Sequence, residues 1–151
     1  MAQVRRGKWT EIGLRSGLRV RWAFDDAFPG QVAIMEKLTS ALIDGVKGVM
    51  IDSPTGTGKT MAMLTSTLAF VDAAFRGRSD RPTVYFTSPK HTQLEQMIKE
   101  YRKTPYSTQL TMAVLGSRST LCINSAVCNS ASVNDEWYVC TVESWCFVKC
   151  D

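Results

Sequence analysis

No run of apolar residues in this sequence is long enough to cross a bilayer, and the basic N-terminus is not followed by the apolar stretch of a secretory signal. Neither a membrane-embedded nor a secreted protein is expected, and the chain reads as intracellular. No two cysteines stand as Cys-x-x-Cys, so the pairing that builds a zinc ribbon is missing. Internal repeats and low-complexity tracts are missing too, which leaves one modest domain with a real core. Nor is there an apolar strand ending in paired acidic residues. The one Asp-Glu pair, Asp135-Glu136, follows Ser-Ala-Ser-Val-Asn and reads as solvated surface.

The 151 residues are 44% hydrophobic and 21% charged, an ordinary globular composition with a mild net charge of +4. That charge is uneven. Arg5, Arg6, Lys8, Arg15, Arg19 and Arg21 crowd the N-terminal segment against Glu11 alone. Such a segment either tracks phosphates or is a solvated leader, and charge alone does not choose. All five cysteines lie beyond position 121, where a reducing compartment makes them thiols or metal ligands rather than disulfides. Composition shifts near Gly17 and near Gly116. The expected organisation is therefore a basic arm over residues 1–16, a nucleotide-binding region over 17–116 and a cysteine-containing region over 117–151.

The central region carries the chemistry. Ser53-Pro54-Thr55-Gly56-Thr57-Gly58-Lys59-Thr60 is a phosphate-loop sequence with serine where the general pattern has its first glycine. Glycines let the backbone turn with its N–H groups inward, Lys59 reaches the β and γ phosphates, and the Thr60 hydroxyl ligates Mg²⁺. Residues 46–51 (VKGVMI) before it read as a buried strand. Residues 61–75 after it place Met61, Leu64, Leu68, Val71 and Phe75 at helical spacing. Further along, residues 31–42 and 91–103 read as helices, and residues 83–87 (TVYFT) and 111–115 (TMAVL) as strands. This βαβαβ order implies an α/β fold: a parallel sheet with flanking helices, the RecA-like P-loop NTPase architecture in incomplete form.

Four motifs in order resemble the iron-sulfur branch of the superfamily 2 DNA helicases, which includes the xeroderma pigmentosum group D, Fanconi anaemia group J and regulator of telomere elongation groups. Gly17-Leu18-Arg19-Val20 with Phe28-Pro29-Gly30-Gln31 is similar to the family's Q-motif, which implies that Gln31 reads adenine and that the nucleotide is ATP. Trp22-Ala23-Phe24 stands where the family usually has Phe-Pro-Phe or Phe-Pro-Tyr. The phosphate loop has the family's form, Ser53 included. Thr87-Ser88-Pro89-Lys90-His91-Thr92-Gln93-Leu94 resembles motif Ia, which touches single-stranded DNA; Pro89 replaces an arginine there. Leu115-Gly116-Ser117-Arg118-Ser119-Thr120-Leu121-Cys122-Ile123-Asn124 resembles the run that enters the iron-sulfur domain.

The resemblance implies a [4Fe-4S] cluster with Cys122, Cys140 and Cys146 as ligands, leaving Cys128 and Cys150 as substitute fourth ligands or ordinary thiols. It also implies a nuclear protein of DNA repair or genome maintenance. The family reaction is ATP hydrolysis coupled to 5′ to 3′ movement on single-stranded DNA. The acidic box that positions Mg²⁺ and the attacking water would follow Asp151, as would the second motor domain. The expectation is therefore an N-terminal helicase portion that binds nucleotide without turning it over. The alternative is a truncated, non-catalytic nucleotide- or DNA-binding module. Protein partners are not legible in these residues.

Overall fold

The computed structural model describes residues 9–115 and 148–149, divided into a unit that ends at Leu110 and a second that begins at Thr111. The first unit opens with a hairpin. Strand β1 (Thr10–Gly13) pairs antiparallel with β2 (Arg19–Trp22), Thr10 facing Trp22 and Gly13 facing Arg19. Its turn is closed by Leu14 N–H to the Leu18 carbonyl at 2.9 Å, with Gly17 at a φ of +82° that few side-chain-bearing residues adopt. Alternation on β2 sends Val20 and Trp22 inward and leaves Arg19 outside. The hairpin runs through the composition shift at Gly17. Thr10–Gly13 has too little apolar character to announce itself as a strand.

Helix α1 (Pro29–Ile43) starts with a proline, whose fixed φ suits a first helical turn. It ends in a Schellman arrangement: Val46 N–H reaches the Ala41 carbonyl at 2.9 Å and Gly45 N–H the Leu42 carbonyl at 3.4 Å, with Gly45 at φ +65°. Helix α2 (Lys59–Phe75) is the hub. It packs on α1, on β2 and on helix α3 (His91–Lys103), burying Met61, Leu64, Leu68 and Val71 at the spacing read from the sequence. Around it sit Val20, Trp22, Met35 and Tyr106, each at most 1% exposed. Burial of side chains this large contributes on the order of 2 kcal/mol each. Helix α3 is shallower, resting on half-buried Leu94, Met97 and Ile98 and buried Tyr101, one stripe at helical spacing.

The three helices match the sequence reading closely; the strands do not. Residues 46–51 and 83–87 are irregular, and Met50 is 95% and Tyr85 73% exposed where a buried parallel strand was expected. Among the described residues there is no parallel ladder. A strand exists only where a neighbour supplies backbone donors and acceptors, and apolar β-branched content cannot supply the neighbour. In the second unit, residues 111–115 contribute only β3 (Ala113–Val114). It pairs antiparallel with β4 (Val148–Lys149), Ala113 facing Lys149 and Val114 facing Val148. The described chain is thus a mixed α/β structure. Cys122, Cys128, Cys140, Cys146 and Cys150 lie outside the described residues.

Candidate functional site

The phosphate-loop sequence bends back on itself just ahead of α2. Gly56 at φ +82° and Gly58 at φ +73° take left-handed conformations that L side chains resist, so both the signature glycine at 58 and the glycine at the variable position 56 serve a backbone reason. Ser53, at the position of the missing glycine, spans the loop: its hydroxyl lies 2.8 Å from the Thr57 hydroxyl, which also donates to the Pro54 carbonyl at 2.9 Å. These bonds tie the start of the loop to its far side through side chains.

Lys59 is the first residue of α2, and its ammonium folds over the loop to donate to the Ser53 carbonyl at 2.6 Å and the Pro54 carbonyl at 2.8 Å. Both partners are neutral. Among the described residues no carboxylate lies within 4.0 Å of it, so its charge stays uncompensated beside a helix N-terminus already favourable to anions. Polyphosphate supplies what that arrangement lacks: several negative oxygens able to accept from Nζ and from backbone N–H groups. Thr60, half-buried one position later, is where a hydroxyl could meet a phosphate-bound cation.

Gln31 arrives from the other helix. On the first turn of α1 and only 7% exposed, it accepts from Phe28 N–H through Oε1 at 3.0 Å and donates from Nε2 to the Thr57 carbonyl at 3.2 Å. A Cβ on Gly58 would press on that Nε2, so a side chain at 58 would have to push the Gln31 carboxamide aside, in addition to the strain of its positive φ. The stretch before α1 is shaped by Trp22, whose indole N–H donates to the Asp26 carbonyl at 3.1 Å and whose ring lies 5.6 Å from that of Phe24. The Trp-Ala-Phe stretch therefore has a packing role of its own.

Residues 87–94 are brought to the start of α3. Ser88 hydrogen-bonds Gln93 and accepts from Lys90 N–H at 3.3 Å, while His91 and Thr92 are exposed. The sequence did not indicate where Arg21 ends up. Counted among the basic residues of the N-terminal segment, it is turned inward: its guanidinium donates to Asp72 at 3.1 Å and Gln109 at 3.0 Å and stacks 4.7 Å from the centre of the Tyr106 ring. Asp72 also pairs with Arg76, whose pKa is raised chiefly by that hydrogen bond. Arg19 pairs with Glu11 at 3.5 Å. A lone aspartate on the apolar face of α2 was the available signal, since a buried carboxylate demands a cation.

The DEAD_2 family profile matches residues 86–150. A regulator of telomere elongation helicase 1 homolog from Arabidopsis thaliana is 32% identical over 138 residues, 74% of this chain and 13% of the relative. The chain belongs to the DEAD_2 helicase family. Within that family it is similar to further regulator of telomere elongation helicase 1 homologs. The Drosophila yakuba protein is 31% identical over 163 residues, 84% of this chain and 16% of that one. The Caenorhabditis elegans protein is 31% identical over 155 residues, 87% and 15% respectively. The chain thus spans about a sixth or less of the length of these DEAD_2 relatives. Matches covering this much of the chain cannot leave out residues 53–60, whereas the family profile covers residues 87–94 and every cysteine. No solved structure matches the chain. Among the described residues no helix is long and apolar enough to cross a membrane, and no group of His, Cys, Asp or Glu could hold a metal ion.

Proposed function

We propose that this chain is the nucleotide-binding portion of an ATP-dependent DNA helicase motor, with ATP held between α1 and the start of α2. The observation that carries the reading is the meeting of Gln31, the 53–58 loop and the uncompensated Lys59 ammonium at one helix N-terminus. In this reading Lys59 exchanges its two carbonyl partners for phosphate oxygens. The Gly56 to Gly58 backbone donates to the phosphates, Ser53, Pro54, Thr55 and Thr57 hold the loop's shape, and Thr60 offers its hydroxyl to Mg²⁺. Gln31 faces the base. Bound Mg²⁺ would draw charge from the phosphate oxygens. The P-loop NTPase architecture follows from the reading, with residues 46–51 and 83–87 as the segments that would enter its sheet.

The wider role rests on kinship. The relatives are named helicases, and one that unwinds or tracks DNA would place this protein in the nucleus on single-stranded DNA, with residues 87–94 near the strand. Cys122, Cys140 and Cys146 are the thiolates for a [4Fe-4S] cluster, whose chemistry here would be that of a multi-residue clip. Hydrolysis and unwinding belong to the whole protein.

Thermal unfolding with and without Mg-ATP tests the nucleotide reading. A ligand at about a hundredfold its Kd stabilises by about 2.7 kcal/mol, a shift of roughly 5 °C or more for a domain this size. The chain is expected to show that shift and Lys59→Ala to lose it. Equal shifts in both proteins would reject the assignment of Lys59.

A further inference from the structure

Gln31 is placed where a base-reading residue belongs, yet both ends of its carboxamide are already engaged with backbone. The orientation is dictated by chemistry: Phe28 N–H can only donate and so faces Oε1, and the Thr57 carbonyl can only accept and so faces Nε2. One side chain thereby links the residue before α1 to the middle of the phosphate loop, 26 positions away. The contact is tight, since the space beside Nε2 at Gly58 would not admit one methyl carbon. It is also sheltered, with Gln31 only 7% exposed.

We propose, building on the nucleotide reading above, that Gln31 is a positioning residue for the phosphate loop, setting the Thr57–Gly58 backbone for polyphosphate whether or not a base is present. A carboxamide has two N–H groups and two acceptor lone pairs, and the backbone uses one of each. The remaining N–H and lone pair can meet a base edge without releasing the loop. Base identity and loop geometry are then coupled through a single amide: a base that matches it braces the bond to Thr57, and one that competes for Nε2 pulls on the loop.

A ligand without a base separates this role from base reading. Binding of Mg-ATP and of Mg-tripolyphosphate is measured on the full chain and on Gln31→Met, a neutral side chain of similar length that lacks both bonds. Helical circular dichroism and a melt check folding. Gln31→Asn is a second neutral variant, one methylene too short to reach both partners. A buried hydrogen bond of this kind corresponds to roughly a tenfold change in affinity. Both ligands are expected to weaken by a similar factor of that size in either variant. Loss for ATP alone, with tripolyphosphate held as before, would overturn the proposal and leave Gln31 a base reader only. If the unsubstituted chain binds ATP but not tripolyphosphate, the proposal fails as well, because a preset loop holds phosphates unaided. If it binds neither, the nucleotide reading itself falls.

Discussion

Residue by residue, the loop was the most legible part of the chain because its chemistry is local. Glycine at 56 and 58 follows from positive φ, and lysine at 59 from the need for a mobile cation over a helix start. The serine at 53 was readable as an oddity but not as a brace, since its bond to Thr57 depends on how the loop closes. Ser53→Gly should therefore leave the fold intact and weaken Mg-ATP binding by about 1 kcal/mol, the net worth of one hydrogen bond, read by titration. Gly58→Ala should do more. It forces a side chain into a left-handed conformation and against Gln31, costing about 1–2 kcal/mol in a denaturant melt and reducing ATP affinity in parallel. A melt unchanged by Gly58→Ala would mean that the loop adopts another backbone. The bond from Gln31 to Thr57 left no trace in the sequence because it joins residues far apart in the chain.

Among the elements, helices were legible and strands were not, for one physical reason. α1, α2 and α3 close their own hydrogen bonds, so apolar spacing and punctuation such as Pro29 and Gly45 mark them from within. Residues 46–51 and 83–87 have strand composition, but pairing is decided elsewhere in the molecule. The β1–β2 hairpin is the converse: modest composition, yet paired, and held by Arg21 to Asp72 of α2 and to Tyr106 just beyond α3. Arg21 is partly buried and Asp72 nearly fully so, with side chains 25% and 8% exposed. Asp72→Ala should therefore cost about 2 kcal/mol. A double-mutant cycle with Arg21→Ala should show coupling between the two; additive losses would contradict the clamp.

At the end of α3, Tyr101 is buried and donates its hydroxyl to the Leu110 carbonyl, and burial raises its pKa above the ordinary tyrosine value. The raised folded pKa favours the neutral phenol in the folded state. Its stabilisation is complete below the unfolded value of about 10 and is lost as pH rises through the folded one. Unfolding free energy should fall more steeply above about pH 10 in the natural chain than in Tyr101→Phe, measured by urea denaturation at stepped pH.

At the scale of the whole molecule, family membership was read from the order and spacing of four motifs, and the comparisons bear out the membership. Residues 86–150 fall within the DEAD_2 profile, and about 31% identity runs through most of the chain. The cysteine region contributes a separate expectation. Anaerobic reconstitution should load iron and sulfide onto the natural chain, and Cys122→Ser should lower the iron content; natural chain that stays iron-free under those conditions would count against the proposed ligands. Met50 and Tyr85 are exposed in two segments of strand-like composition that stay irregular among the described residues.

The central claim is that Gln31, the 53–58 loop and the start of α2 form one nucleotide site, and hydrogen exchange under saturating Mg-ATP addresses it most directly. Amide protection should increase over residues 56–60 and around Phe28 and Gln31, with little change at the β1–β2 hairpin. Unchanged exchange over residues 56–60, or protection gathered elsewhere, would contradict it.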